Sequence, residues 1–102
     1  MSKSVRVKFC GFIRQILASE MIDIELSEKG NNRLSNIMVK LEQHVNSDKI
    51  KLASNIQSLS TQYGSYAVCV ALNGMLVDLS DGEDRTVKKG DQITLFAPVE
   101  GG

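Results

Sequence analysis

The sequence is poor in cysteine, histidine and proline, and its charges cancel. Among 102 residues there are two cysteines, one histidine and one proline, and twelve basic side chains balance twelve acidic ones. Because the net charge is zero, the chain has no overall basic field that would attract nucleic acid or anionic lipid. We therefore expect neither nucleic acid nor a membrane surface among its partners.

Long apolar runs are also missing. No run approaches the roughly 18 residues that a membrane-spanning helix needs, and the sequence starts with an alternating strand pattern rather than a signal-peptide core. We therefore expect a cytoplasmic protein. Cys10 and Cys69 each lie in an apolar stretch, which predicts reduced core residues rather than a disulfide framework.

Candidate metal and nucleotide sites are sparse. His44 is the single histidine, and the predicted topology does not make the strands of Cys10 and Cys69 neighbours, so neither a zinc cluster nor a Cys-His nucleophile is supported. The glycines at positions 64, 74, 82 and 90 are isolated and form no phosphate-cradling pattern. We expect the chain to bind no cofactor by itself.

Hydrophobic patterning indicates a single globular domain over residues 1–102, with 42% hydrophobic and 24% charged residues. Residues 5–9 and 21–26 alternate with period two, which predicts an antiparallel hairpin with one buried and one wet face. A helix is predicted next, because apolar residues recur at helical spacing after Gly30-Asn31-Asn32, where an Asn can serve as N-cap. Its apolar positions are Leu34, Ile37, Met38, Leu41 and Val45.

The second half of the chain is predicted to be mostly strand. Residues 47–65 are the exception, since the spacing of their apolar side chains predicts a second, shorter helix or an irregular polar excursion. Residues 66–72 and 75–79 are predicted strands joined by a hairpin turn at Asn73-Gly74. A final strand is predicted over residues 92–96, before Pro98. The residues that carry the helical spacing are Leu52, Ile56, Leu59 and Tyr63.

The order of these elements predicts an α+β fold of the β-grasp (ubiquitin-like) type. A right-handed crossover through the helix makes the last strand a parallel neighbour of the first, in the middle of a mixed sheet of four to five strands. One main helix covers this sheet, and a short helical insertion is added to it. Residues 98–102 then form a flexible C-terminal tail on a rigid domain.

The chain ends in Gly101 and Gly102, which leave its own carboxylate on a slim tail. Since glycine lacks Cβ, such a tail can enter a channel that is too narrow for any side chain. This ending predicts that the reactive group of the chain is its C-terminus, presented to the active site of another protein.

The ending DQITLFAPVEGG, residues 91–102, resembles the ubiquitin-like sulfur carriers, and most closely the small subunit of molybdopterin synthase (molybdopterin-converting factor subunit 1). That family typically ends in an apolar strand, a Phe or Leu, one or two prolines, Val, any residue and Gly-Gly. Thiamine-pathway sulfur carriers and archaeal ubiquitin-like modifiers are related to it. The resemblance covers residues 5–45 and 68–102, Ala97 stands where many members carry a first proline, and residues 47–65 look like an insertion.

The resemblance implies a function for the tail. An adenylating protein similar to ubiquitin-activating enzymes would use ATP and magnesium to convert the Gly102 carboxylate to an acyl adenylate, and a sulfur-donor enzyme would supply the sulfur of a thiocarboxylate. The large subunit of molybdopterin synthase would accept the tail, so the chain is not catalytic alone. Gly101 would give access, Pro98 and Val99 would aim the tail, and Phe96 would lie either in the core or at the partner interface.

Two alternatives remain open at this point. The adenylated Gly102 of a protein modifier would be captured by lysines of target proteins. A non-covalent ubiquitin-like interaction domain would not need the two terminal glycines. Lys88 and Lys89 are interpreted as a solvated face rather than as acceptors for self-conjugation.

Overall fold

Two β-sheets and two helices make up the structure, a computed structural model that describes residues 3–30, 32–48, 50–53, 58–62, 64–78 and 85–97. In chain order, the elements are β1 (Ser4–Phe9), α1 (Gly11–Leu17), β2 (Met21–Glu25), α2 (Leu34–Val45), β3 (Ile50–Ala53), β4 (Ser58–Thr61), β5 (Gly64–Ala67), β6 (Cys69–Leu72), β7 (Met75–Val77) and β8 (Gln92–Phe96).

The larger sheet has five strands in the order β2-β1-β8-β6-β7. β1 and β2 form the predicted antiparallel hairpin, with Val5 opposite Ile24. β8 lies in the middle of the sheet, parallel to β1 and antiparallel to β6. The predicted β-grasp topology, with the last strand beside the first, is therefore confirmed.

One face of this sheet packs against α2, and the other, called the open face below, carries mostly exposed or half-buried side chains among the described residues. β1 alternates strictly, so that Val5, Val7 and Phe9 are buried while the residues between them are exposed. α2 contributes the other half of the core, because its buried positions recur every three or four residues. They are Leu34, Ile37, Met38 and Leu41.

The start of α2 differs from the expectation of an Asn cap. Arg33 occupies the N-cap position and its side chain makes no capping hydrogen bond. The Asn32 side chain instead holds the preceding loop, since its Oδ1 accepts from the Ser27 N–H at 2.7 Å and its Nδ2 donates to the Ser27 carbonyl at 3.0 Å. Asn31 lies outside the described residues. Asn32 is therefore used to shape the loop rather than to cap the helix.

The sequence pattern did not predict α1, which connects β1 to β2. Its apolar residues Ile13, Ile16 and Leu17 have helical spacing, and Ile13 is buried against the core. The helix ends at Ala18, which adopts the left-handed conformation at φ 53°. Seven residues give only two turns, too few for a clear periodic signal.

The predicted helix within residues 47–65 is wrong, because the described part of this segment forms strands. β3, β4 and β5 make a separate antiparallel sheet in the order β3-β4-β5. Leu52 lies directly opposite Leu59, which in turn lies opposite Tyr66, and both leucines are buried. The two leucines are thus cross-strand neighbours rather than positions on one helix face. Ile56 and Tyr63, which completed the helical spacing, lie outside the described residues.

The predicted strand over residues 66–72 is divided between the two sheets. β5 belongs to the smaller sheet and β6 to the larger one, with the buried Val68 between them. The predicted turn at Asn73-Gly74 is confirmed, with φ of 51° and 85° at the two residues. Of the predicted strand over residues 75–79, residues 75–77 form β7 and Leu79 lies outside the described residues.

Candidate functional site

The base of the C-terminal tail is held by both neighbours of β8. The Cys10 N–H donates to the Leu95 carbonyl at 3.0 Å, and Phe96 pairs with Cys69 on the other side. Ala97 packs against the core. The chain therefore leaves the domain from a central, doubly paired strand. The predicted tail residues Pro98, Val99, Gly101 and Gly102 lie outside the described residues, so their roles remain predictions.

Leu95 and Phe96 point to opposite faces of the sheet. Leu95 is 1% exposed and faces the core, as does Ile93 at 0%. Phe96 is half-buried and is not part of the core cluster. Phe96 is therefore outside the core cluster, and its predicted contact with a partner stays a prediction.

The two cysteines lie on either side of the end of β8, with Cys10 directly after β1 and Cys69 at the start of β6. Cys10 follows Phe9, which pairs with Leu95, and Cys69 pairs directly with Phe96. Both are free thiols and both are half-buried, so the expectation of core positions is wrong. Since β8 lies between β1 and β6 in the sheet, the residues at the ends of those two strands lie on either side of the start of the tail.

The open face continues as a row of residues across all five strands. Thr94 lies between Lys8 and Ala71 in this row. The row ends in an exposed apolar side chain on each side, with Met21 41% exposed and Leu76 66% exposed. This face therefore carries Lys8 next to Met21 at one edge and Leu76 at the other edge, on the same side of the sheet as Phe96.

An aromatic pair that was not predicted joins α1 to the smaller sheet. The rings of Phe12 and Tyr66 meet edge to face, with centroids 4.8 Å apart and an interplanar angle of 75°. Phe12 is still 41% exposed. Because Phe12 is only two residues from Cys10, this pair fixes α1 next to the end of β8.

The start of β8 is fixed by a second hydrogen-bond network. The Asn73 Nδ2 donates to Asp91 Oδ1 at 3.0 Å, and the Lys88 N–H donates to Asp91 Oδ2 at 2.8 Å. The Gln92 N–H in turn donates to Asn73 Oδ1 at 2.9 Å. The Asn73 hydrogen bond, followed by that of the Lys88 N–H, holds the pKa of Asp91 below its usual value. β8 is thus fixed at both ends.

The described residues bring no metal-binding group together. Within them, no cluster of three His, Cys, Asp or Glu side chains is close enough to hold an ion. His44 is exposed in the last turn of α2. Neither helix that the structure describes is long and apolar enough to cross a membrane.

Several solved structures share this fold. The putative molybdopterin converting factor subunit 1 from Pyrococcus furiosus is 23% identical, with a TM-score of 0.60, and the match covers 96% of this chain and 100% of that one. SAMP1, a small archaeal modifier protein from Methanosarcina acetivorans, is 15% identical with a TM-score of 0.60 over 100% and 99% of the two chains. Urm1 from Trypanosoma brucei is 13% identical with a TM-score of 0.61 over 99% and 97%.

At these identities the structural neighbours establish the fold. A search of curated protein sequences gave no significant match. The sequence model of the ThiS family, however, matches residues 7–102, which include all of β8 and the Gly-Gly ending. With this match and the β-grasp topology, the chain belongs to the ThiS family of ubiquitin-like sulfur carriers.

Proposed function

We propose that this chain carries sulfur as a thiocarboxylate on Gly102 and donates it in molybdopterin synthesis, as the small subunit of molybdopterin synthase. The observation that carries the proposal is the family match, which runs through the Gly-Gly ending. The choice of pathway is supported by the sequence of residues 91–102 and by the likeness in fold to a putative molybdopterin converting factor subunit.

The chemistry requires a partner, because a carboxylate is a poor electrophile. A Gly102 carboxylate oxygen attacks the α-phosphorus of ATP in the adenylating protein, with magnesium, and pyrophosphate leaves. A hydrosulfide ion supplied by the donor enzyme then attacks the acyl carbon of the adenylate, AMP leaves with the electrons of the broken C–O bond, and the thioacid loses its proton. The product is a thiocarboxylate whose sulfur is the atom to be donated. This chain supplies the acyl group, while the nucleotide site and the acid-base groups belong to its partners.

The geometry of β8 supports the presentation of such a tail. The strand is fixed at its start by the Asp91 carboxylate and at its end by the Cys10 N–H. Residues 98–102 span at most about 17 Å when fully extended. A fixed base limits the volume that Gly102 can reach. This lowers the entropic cost of bringing Gly102 into an active site.

The open face around Phe96 is the proposed docking surface for these partners. Phe96 combines an apolar ring with partial exposure and lies one residue before the tail base at Ala97. The exposed Leu76 lies on the same face, opposite Ala71. A partner that covers this face buries both side chains and receives the tail in the same movement, with Pro98 and Val99 as the next contacts.

The test is the intact mass of the protein isolated from its native cells under non-reducing, thiol-free conditions. A fraction that is heavier by one oxygen-to-sulfur exchange, localised to Gly102 by fragmentation, is the expected result. The same chain lacking Gly102 and produced in the same cells is the control, and it should show no such fraction.

Two other outcomes would overturn the proposal. If Gly102 is found joined to lysine amines of other proteins and no sulfur exchange is present, the chain is a protein modifier. If partners captured from these cells stay bound after Gly102 is removed, and neither sulfur nor isopeptide is found, the chain is a non-covalent interaction domain. The sulfur-carrying fraction could also be present while cells that lack the chain keep their normal molybdopterin content. That result would support the carrier chemistry and reject the molybdopterin pathway.

A further inference from the structure

A lysine-rimmed pocket lies at the end of the domain opposite the tail. It has a volume of about 550 Å³, and its lining includes the three lysines Lys3, Lys88 and Lys89. Leu26 and Val87, which are 5% and 2% exposed, contribute apolar surface to the same lining. Among the described residues that line it, Glu28 is the one acid. The pocket is therefore basic at its rim, although the chain as a whole is neutral.

The position of the lysine-rimmed pocket follows from the sheet topology. Lys3 comes just before β1, and Lys88 and Lys89 come just before β8. Because β1 and β8 are parallel, the starts of both strands lie at the same end of the sheet, and the tail leaves from the other end. A five-residue strand separates the two ends by about 17 Å.

The three ammonium groups form no ion pair with another described residue, although the Asp91 carboxylate is close enough for the Lys88 charge to help lower the pKa of Asp91. The ion pairs present in the described ranges are Arg6 with Asp23 and Arg14 with Glu20, both away from this pocket. Like charges that share one concave surface raise the local positive potential and favour an anion there.

Hydrogen bonds hold the walls of the pocket in place. The Leu26 N–H donates to the Lys3 carbonyl at 2.7 Å, and the Val87 N–H donates to the Asn32 carbonyl at 2.7 Å. The Asn32 side chain also accepts a hydrogen bond from the Ser27 N–H and donates one to the Ser27 carbonyl. The backbone around the lysines is therefore preorganised, while the lysine side chains themselves remain exposed.

The same region of the backbone has several N–H groups that are already bonded within the protein. Compact phosphate sites use free backbone N–H groups as donors. Here the N–H groups of Ser27, Lys29 and Lys88 are bonded to Asn32, Ser27 and Asp91 respectively. The three ammonium groups stand apart at the rim of an apolar floor, which matches carboxylates spaced along a peptide with an apolar side chain between them.

We propose that the lysine-rimmed pocket is a second docking site, which binds an acidic segment of a partner protein. Its carboxylates bind the three lysines, and an apolar side chain of the segment contacts Leu26 and Val87. Since the pocket and the tail are at opposite ends of the sheet, the segment can stay bound while the tail is in an active site. This proposal does not depend on the sulfur chemistry of Gly102.

The experiment measures binding of a fluorescent peptide, ELEELE, to the full chain by fluorescence anisotropy at low salt. The pocket variant is Lys3→Gln/Lys88→Gln, and the matched control is Arg14→Gln/Lys51→Gln, which removes the same charge from exposed basic side chains away from both the pocket and the open face. We expect the pocket variant to weaken binding about tenfold and the control variant less than about twofold. The neutral peptide QLQQLQ should bind neither form, and salt should weaken the ELEELE complex.

Three results would overturn the proposal. An equal loss of peptide affinity in the two variants would mean that the peptide is attracted by diffuse positive charge rather than by the pocket. Competition by inorganic tripolyphosphate at concentrations as low as those of the peptide would mean a site for small anions. Equal binding of QLQQLQ would mean a purely apolar contact. Circular dichroism of both variants checks the fold, which should be unchanged because all four side chains are exposed.

Discussion

Two adjacent residues of β8 provide a sharp test of which face of the sheet serves the core. Leu95 is 1% exposed, and replacing such a leucine with alanine costs about 2–5 kcal/mol of unfolding free energy. Burying a phenylalanine fully is worth about 1.5–3 kcal/mol, so the half-buried Phe96 should lose only about 1 kcal/mol on replacement with alanine. Leu95→Ala therefore removes a large part of the stability of a typical domain, about 5–15 kcal/mol, and Phe96→Ala a small part.

Urea unfolding measures this difference directly. With a slope of about 1.5 kcal/mol/M, the midpoint should fall by about 2 M for Leu95→Ala and by about 0.7 M for Phe96→Ala, with an unchanged slope in both. If Phe96→Ala lost as much stability as Leu95→Ala, Phe96 would belong to the core and the reasoning from the two faces of β8 would fail.

The same pair tests the proposed docking face. On that proposal, Phe96→Ala weakens association with the adenylating partner by about 2 kcal/mol or more, which is a factor of about 30 in Kd. The measurement is a titration of the folded variant with the partner, below the temperature at which the variant begins to unfold. An unchanged Kd with a folded Phe96→Ala variant would remove this residue from the interface.

Three further predictions concern the scaffold. Leu59→Ala should cost about 2–5 kcal/mol in urea unfolding, because Leu59 is 0% exposed and joins the smaller sheet to the core; a loss below about 1 kcal/mol would mean that this sheet is only loosely attached. Gly74→Ala should cost about 1–2 kcal/mol through its φ of 85° alone, since an added Cβ would meet no atom within 4 Å; an unchanged midpoint would contradict the left-handed turn. Asp91→Ala should cost about 1–2 kcal/mol at pH 7, because it removes two accepted hydrogen bonds. Since the folded pKa of Asp91 lies below its usual 3.8, this contribution is present above that pH and is lost as the pH falls through the folded pKa, so thermal unfolding of the wild type and the variant should converge in acid.

The elements that the sequence predicted well are those with a long, unambiguous period. The twelve residues of α2 repeat the apolar pattern over three turns, and β1 alternates without interruption. Leu52 and Leu59 were ambiguous, because a separation of seven residues fits two helical turns as well as two paired strands. Pairing with the strand of Tyr66 decides between the two, and that pairing is a contact across the sheet that the local period does not contain.

The candidate site divides in the same way. The Gly-Gly ending and the apolar β8 are continuous in sequence, so the family could be predicted, while the chemistry of the tail stays a prediction. The surroundings of Phe96 could not, since Cys10 and Cys69 reach it only through the pairing of three strands. Lys3 and Lys88 are likewise brought together only when the first and last strands become neighbours.

This parallel pairing also links presentation of the tail to folding of the whole domain. Among the described strands, β1 is the first and β8 is the last. The pairing of Val7 with Ile93 therefore joins two residues that are separated by most of the chain. Such long-range pairing is slow to form, because the entropy of closing a long loop must be lost before the contacts stabilise it. The docking face needs β1, β8 and β6 side by side, with Phe96 on the middle strand, and it exists only after this pairing. On the proposed function, a partner that docks on this face before taking the tail therefore selects chains whose folding is complete.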